Sequence, residues 1–333
     1  MQQNATVDST PRSFFSLGLR VSPILRSLTL LACLPVWLGL AARWWWVLEL
    51  ATHFTAYLAA VSLVGLLGWM IAQRWKMACY CGASLVVATL PLIGLYTPVD
   101  RSSAGPERLK VLAINVLTGN RQHDQVLQVV DAIDPDIVLL LEVNQRWVDA
   151  MAPIASKLPT HRVLTREDNF GVALYSRLPA DSLEIRVVGD GFPGREGTPV
   201  AFATLDWNGD RLTFIGAHPL PPGSIDKAQE RNDQLAQLAR FSAKQPGLVV
   251  LAGDLNVTPF SPTFIDLLSD GRLVDSAAGY GLQATWHNGR GIGLAIDHVL
   301  HSPELVTVNR SVGPQVGSDH LPILVELAKS RTD

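Results

Sequence analysis

Only three of the 333 residues are cysteines, at positions 33, 79 and 81. None follows Cys81, so the rest of the chain can build neither a disulfide framework nor a thiolate metal site. Basic charge is not in excess either, with 27 Lys and Arg against 30 Asp and Glu. The first hundred residues hold just nine charges: Asp8, Arg12, Arg20, Arg26, Arg43, Glu49, Arg74, Lys76 and Asp100. That leaves 21 basic and 27 acidic residues beyond position 100, the basic ones scattered singly. A net charge of −6 without a Lys/Arg cluster argues against avid, nonspecific grip on duplex DNA. No internal repeat or low-complexity segment stands out. The glycine-rich stretch Gly189–Pro199, with Arg195, has no helix start behind it and reads as a flexible rim loop.

The sparsely charged N-terminal part contains three apolar runs after a polar tail, residues 1–22. Ser27–Ala42 is 16 residues between two arginines, Leu50–Ala72 is 23 and Met77–Tyr96 is 20, the last two without a charge. A bilayer core takes roughly 20 helical residues, and flanking Arg side chains rescue shorter runs by snorkelling. About three transmembrane helices are therefore expected within residues 23–98. Trp44, Trp45 and Trp46 fit an interfacial aromatic belt. Residues 12–42 also have the layout of a signal peptide, but two further runs favour an anchor. His53, inside the second run, is expected to be a neutral imidazole hydrogen-bonded between helices. The tail carries Arg12, Arg20 and Arg26, and the second link carries Arg74 and Lys76. Both are expected in the cytoplasm, which puts everything after the third run outside it, in a multi-pass membrane protein.

Residues 99–108 form a linker bearing Pro, Ser and Gly, and a separate domain is expected over 109–328. Strand-like runs fall at Lys110–Asn115, Ile137–Glu142, Gly171–Ser176, Leu248–Ala252, Ala295–Leu300 and Pro322–Leu327. Val200–Asp206 and Arg211–Ala217 bracket an Asn208-Gly209 turn signal. Helical spacing marks Asp124–Ile133, Asn144–Leu158, Ser224–Ser242 and Ser261–Leu268. Hairpins mixed with crossovers predict two packed sheets under outer helices.

Polar residues sit at the strand ends. Asn115, Glu142, His218, Asp254 with Asn256, Asp297, and the Ser318-Asp319-His320 triplet each stop or interrupt an apolar run. In LVVLAGDLNVTP (248–259), period-two geometry predicts Asp254 and Asn256 on one side of an extended segment, or else an Asx-type turn. Hard oxygen donors such as Glu142 and Asp319, supported by Asn115, suit Mg²⁺ or Mn²⁺. Two imidazoles beside acidic groups suit proton transfer or charge stabilisation, which fits metal-assisted hydrolysis of a phosphoester.

The ordered set NVL (Asn115), LLLEV (Glu142), GVALYSRLP, GAHPLPP (His218), GDLNVTP (Asp254, Asn256), AIDHVL (Asp297) and GSDHLPI (Asp319, His320) resembles the endonuclease/exonuclease/phosphatase superfamily. The resemblance covers roughly residues 109–328 and implies a four-layer α/β sandwich and a Mg²⁺-dependent hydrolase. It implies Glu142 as the main metal ligand, with Asn115 and Asp319 near the metal. Asp254, supported by Asn256, is implied to orient and deprotonate the attacking water. His320, held by Asp297, is implied to stabilise the phosphoryl oxygens, and His218 to protonate the leaving oxygen. In DNase I-like nucleases this second histidine has an acidic partner near the GVALYS position. Here only Glu167 and Asp168 lie nearby, so either one of them substitutes or His218 is held otherwise. Asn169, Trp286 and the remaining histidines are expected to be structural or rim residues.

The expected partner is thus a phosphoester, whether a lipid head group, a small phosphate or a nucleic acid, with the bilayer contacted through the N-terminal helices. Tethering beside a bilayer tilts the expectation toward a lipid head group. A catalytically silent module on the same fold is the alternative, although the residues that such a loss would erase are present. Nothing in the sequence names a protein partner.

Overall fold

The computed structural model describes residues 23–188 and 197–331. The expected polar tail and most of the glycine-rich 189–199 stretch lie outside the described residues.

The N-terminal region is helical: α1 (Pro23–Gly39), α2 (Trp46–Thr52), α3 (Thr55–Ile71) and α4 (Trp75–Thr89), which continues through a 3-10 turn at Leu90–Leu92 into α5 (Ile93–Tyr96). Small residues bring these helices close. An added Cβ on Gly65 would stand 2.9 Å from Cys81 Sγ, and Ala59, Ser62, Ala78, Ser84 and Ala88 are all buried. Tryptophan N–H groups find hydroxyls across the bundle, Trp37 at Ser84 (3.0 Å) and Trp69 at Thr29 (3.1 Å).

The expected three spans are not what the described residues contain. One helical segment, Trp75–Tyr96, is long and apolar enough to cross a bilayer, and a second qualifies only if α2 and α3, bent by 65°, count as one broken span. The charge-free run Leu50–Ala72 hides that break at His53-Phe54. The run 27–42 lies largely on α1, whose 17 described residues extend about 26 Å at 1.5 Å each, short of a bilayer core.

Two mixed six-stranded sheets follow. The first has the order β13-β14-β1-β2-β4-β3 and the second β5-β6-β7-β8-β12-β9. In the first, β1 (Leu109–Asn115) runs parallel to β2 (Ile137–Leu141), while β3 (Thr160–Leu164), β4 (Val172–Ser176), β13 (Leu305–Val312) and β14 (Ile323–Lys329) pair antiparallel. In the second, β7 (Asp210–Ala217) is parallel to β8 (Leu248–Asp254), with β5 (Ala180–Val188), β6 (Thr198–Trp207), β9 (Val274–Asp275) and β12 (Asp297–His301) antiparallel. A two-stranded ribbon, β10 (Trp286–His287) with β11 (Gly293–Leu294), stands apart.

Each parallel pair needs a crossover, and a helix supplies it. α6 (His123–Ile133) joins β1 to β2, and α9 (Ile225–Ser242) joins β7 to β8. Val111, Leu139, Phe214 and Val250 pack between the sheets. Outside the first sheet lie α6, α7 (Gln145–Ala150) and α8 (Ala152–Lys157), sealed by Trp147 and Ile154. Outside the second lie α9 and α10 (Pro262–Gly271), sealed by Leu238 and Phe264. The layers thus run helix, sheet, sheet, helix, the arrangement expected from the sequence. The helix foreseen over Asn144–Leu158 is split at Met151, because Pro153 brings no N–H to its first turn. Residues 99–108 are laid along the first sheet, with the Gly105 N–H on Lys329 O at 2.8 Å and Arg101 Nε on Thr307 O at 3.1 Å.

The helical region is bolted to this sandwich. Arg43 forms a two-pronged ion pair with Asp266 at 2.7 and 2.9 Å. Glu49, 3% exposed, accepts from the fully buried Arg231 at 2.6 Å and from Ser261 Oγ at 2.5 Å. Tyr57 exchanges hydrogen bonds with the backbone of Gly293, and Leu95 packs with Phe260 and Ala277. The 43–57 stretch and the end of the α4–α5 segment therefore meet the same body.

Close approach of β7 and β8 dictates Gly253. Its φ is +143°, and an added Cβ would fall 1.9 Å from Ala217 O. Gly253→Ala is therefore expected to destabilise by more than about 2 kcal/mol, read as a lowered denaturation midpoint in detergent. An unshifted midpoint would mean that the two backbones are not this close.

Candidate active site

The ends of β2, β7 and β8 and the segment before β14 face one cavity of about 870 Å³, lined among others by Glu142, His218, Asp254, Asn256, Asp319 and His320. Asn115 and Asp297 lie behind that surface and hold the lining residues. Asn115 Nδ2 donates to Glu142 Oε1 (2.9 Å) and to Asp254 Oδ2 (3.2 Å), while its Oδ1 accepts from the Leu117 N–H (3.1 Å). The amide therefore draws two carboxylates together from behind the cavity surface. Thr118 completes the support of Glu142, its N–H facing Oε2 at 3.3 Å and its hydroxyl on the Glu142 carbonyl at 3.0 Å.

Asp254 is the hub. It is the last residue of β8, 2% exposed, and directly faces Asp297 in the antiparallel β12 register. Two carboxylates in opposed positions repel. His320 stands between them, with Nδ1 2.9 Å from Asp297 Oδ2 and Nε2 3.5 Å from Asp254 Oδ2. Thr285 Oγ1 also donates to Asp297 at 2.6 Å. Burial disfavours a charged imidazole, but Asp297 and then Asp254 overcome it and push His320 up to about 10. Burial likewise works against an ionised Asp254, yet His320 and His218 hold it down at about 2.

Asn256 does not share an extended segment with Asp254. The strand ends at Asp254, and Asn256 has φ +51°, so its own N–H returns to Asp254 Oδ1 at 3.0 Å in an Asx-type turn. Its side chain reaches the other way and donates to Pro219 O at 3.0 Å, tying the loop after His218 to the loop after Asp254. Arg231 Nη1 grips the Asn256 carbonyl from behind at 3.0 Å.

Of the two alternatives for His218, that it is held otherwise than by Glu167 or Asp168 is the one found. Glu167 accepts from Asn144 at 3.3 Å, and Asp168 is bound by Arg166. Instead His218 Nε2 lies 3.4 Å from Asp254 Oδ2, its ring packs on Phe170 at 5.1 Å, and Nδ1 is buried without a partner among the described residues. Burial lowers its pKa, but the bond to Asp254 more than offsets this and raises it above the ordinary histidine value.

Asp319 is held by Trp286, whose Nε1 donates to Oδ2 at 3.0 Å. Trp286 thus lines the cavity and is not core packing alone. Ser318 Oγ donates to the Asn115 carbonyl at 2.7 Å and accepts from the His320 N–H at 3.0 Å, locking β1 to the segment before β14. Asn169 also faces the cavity, from a left-handed loop position with φ +69°.

The family model described as endonuclease/exonuclease/phosphatase matches residues 112–320, the stretch that carries every one of these groups. The chain belongs to that family. No curated protein matches it in sequence. Among solved structures of this family's fold, a humanized D. rerio TDP2 is 17% identical with a TM-score of 0.55, the match covering 67% of this chain and 99% of that one. A variant of beta toxin from Staphylococcus aureus with bound magnesium ions is 18% identical with a TM-score of 0.53, covering 68% of this chain and 100% of the toxin. Sphingomyelinase C from Streptomyces griseocarneus is 21% identical with a TM-score of 0.50, covering 66% and 99%. At such identities the likeness concerns the fold.

A hard divalent cation fits the donors. Glu142 and Asp319 present carboxylates to the cavity, and no thiol is near. Asp254, Asp297 and His320 also bring ligand-type atoms within 4.8 Å of one another. In that trio, however, His320 Nδ1 and Asp297 are occupied with each other, so it is a hydrogen-bonded chain and not an open coordination site.

Proposed function

We propose that this family member is a membrane-anchored, Mg²⁺-dependent phosphoesterase that hydrolyses a phosphodiester or phosphomonoester, with a lipid head group favoured. The reading rests on one observation above all: carboxylates and imidazoles from separate strand ends meet in a single cavity. Mn²⁺ would suit the same donors. Glu142 and Asp319 would hold the metal ion, with Asn115 fixing Glu142 from behind. When bound, the ion would offset phosphate charge and polarise the ester.

The remaining steps belong to side chains. Asp254, ionised and backed by the Asn256 N–H, takes a proton from the attacking water. His320, kept protonated by Asp297, donates toward the non-bridging phosphoryl oxygens, where negative charge grows. His218 stands on the other side of Asp254 and supplies a proton to the leaving oxygen. Release of p-nitrophenol from bis-p-nitrophenyl phosphate should require Mg²⁺ and stop on EDTA addition. Turnover that survives thorough chelation would remove the metal-dependent reading.

The anchor is proposed to occupy residues 23–98, with a linker over 99–108 and the catalytic domain over 109–328. Among the described residues, 25 of the 31 exposed large apolar side chains lie between Ile24 and Val99, a density that a water-facing surface does not carry. Arg74 sits in the link between α3 and α4 and Lys76 in the first turn of α4, whereas Arg43, Glu49 and Leu95 contact the domain. With the basic link in the cytoplasm, the domain is extracytoplasmic. An alkaline phosphatase fusion after Pro106 should be active, and an inactive one would reverse this orientation. A nuclease is the lesser reading, because the two basic residues lining the cavity are Arg166, already paired with Asp168, and Lys227.

A further inference from the structure

The wall of the cavity is not made by the catalytic sandwich alone. Leu50, His53 and Phe54, at and just before the break between α2 and α3, line it together with Leu294 and Ile296. The break is held in place on three sides: Glu49 by Arg231 and Ser261, His53 by Thr258 of the GDLNVTP loop, and Tyr57 by Gly293 of the β10–β11 ribbon. That ribbon also carries Trp286, which holds Asp319. The same helical elements are thus tied to both flanks of the site.

His53 does not bridge helices as the sequence had implied. Its Nδ1 accepts from the Thr258 backbone N–H at 3.4 Å and lies 3.0 Å from the Thr258 hydroxyl. An acceptor at Nδ1 puts the ring proton on Nε2. Nε2 is buried and has no partner among the described residues, although the ring is part of the cavity wall. A buried donor without an acceptor is costly, so such a group points to a ligand oxygen.

We infer that the helix break is part of the substrate site, and that the substrate is a lipid phosphoester. Its apolar chains lie against Leu50, Phe54, Leu294 and Ile296, and an oxygen of its polar part accepts from His53 Nε2. This rests on the phosphoesterase reading above. The cavity is lined both by anionic, proton-handling groups and by apolar side chains, which together match the polarity of an amphiphile. Beyond Phe54, α3 also exposes Val61, Val64, Leu67 and Ile71. A chain lying along that surface enters the cavity without crossing water, and a head group entering first stops at Asp254 and His320. A soluble phosphoester has no use for such a wall.

The test uses the full-length protein in nanodiscs with Mg²⁺. kcat/KM is measured for phosphatidylcholine, phosphatidylglycerol and sphingomyelin, for the deacylated glycerophosphodiesters of the first two, and for bis-p-nitrophenyl phosphate. At least one lipid should exceed its deacylated counterpart by about 100-fold or more. Tethering alone favours lipids in every variant, so the wall is isolated by the change in the lipid-to-soluble ratio. Phe54→Ala and, on the domain side, Leu294→Ala should each cut that ratio about tenfold. His53→Ala should cut it as well, and His53→Gln, which restores an N–H donor, should recover part of the loss. Circular dichroism and melting temperature identify any variant that fails to fold, and the wall is then judged on the other one. Turnover of bis-p-nitrophenyl phosphate with an unchanged ratio in all folded variants overturns the lipid site and leaves the phosphoesterase standing. No turnover of any ester overturns both.

Discussion

Asp254→Ala is expected to lower kcat on bis-p-nitrophenyl phosphate by about 10²- to 10⁴-fold, the range for loss of a positioned base. The loss should lie at the upper end, because three groups converge on this one carboxylate. Asn115 Nδ2, His218 Nε2 and His320 Nε2 all lie within 3.5 Å of its Oδ2. Removing it takes away the proton acceptor, and it also takes the facing carboxylate from both imidazoles, leaving His320 to Asp297 alone. Asp254→Asn keeps the volume and should be nearly as inactive, since an amide is no base. His320→Ala removes one donor from the phosphoryl side and should cost about 10²-fold. The Asp254→Ala and His320→Ala effects should combine less than additively, because they dismantle one chain of hydrogen bonds. Retention of a tenth of the activity in Asp254→Ala would rule out its assignment as the base.

Glu49→Ala should be the most destabilising single change in the helical region, at about 3–5 kcal/mol. The pair joins a side chain from α2 to one from α9, and both are essentially removed from water. Truncating Glu49 leaves the buried Arg231 guanidinium charged, with Asn232 Oδ1 and the Asn256 carbonyl as its remaining acceptors among the described residues. Replacing both partners, as in Glu49→Met with Arg231→Met, should restore much of the stability, since the stranded charge is then gone. Activity should not recover in parallel. The Arg231 grip on Asn256 O, which sets the turn that serves Asp254, is lost in the double variant. A denaturation midpoint that Glu49→Ala leaves in place would show that α2 does not depend on this pair.

The strand ends were legible because burial demanded apolar runs there, and chemistry interrupted them. β1, β2, β4, β7 and β8 are buried along most of their length. The turn at Asn208-Gly209, both with positive φ, and the helix start at Ser261 were equally plain. The edge strands β3, β5 and β13 were not, because a half-exposed edge needs no apolar run to announce it. His53 and Glu49 escaped for a different reason. Their partners lie 205 and 182 positions away, and sequence pairs Glu49 more readily with nearby Arg43. One signal was available: Ala228, Arg231, Leu235 and Leu238 recur at helical spacing, so Arg231 interrupts the buried stripe of α9. A charge in such a stripe calls for a buried counter-charge.

Leu117, Glu142, Asn169 and Asn256 all line the cavity, and all four have φ between +51° and +69°. A side chain in that region costs on the order of 1 kcal/mol or more relative to relaxed backbone. The site is thus a reservoir of conformational tension, kept taut by the sheets, the Arg231 anchor and the Asx turn around it. Glycine at Glu142 would release part of that tension while deleting a carboxylate the chemistry uses. In this protein, then, the road to a sturdier fold and the road to a faster enzyme diverge at the same residues.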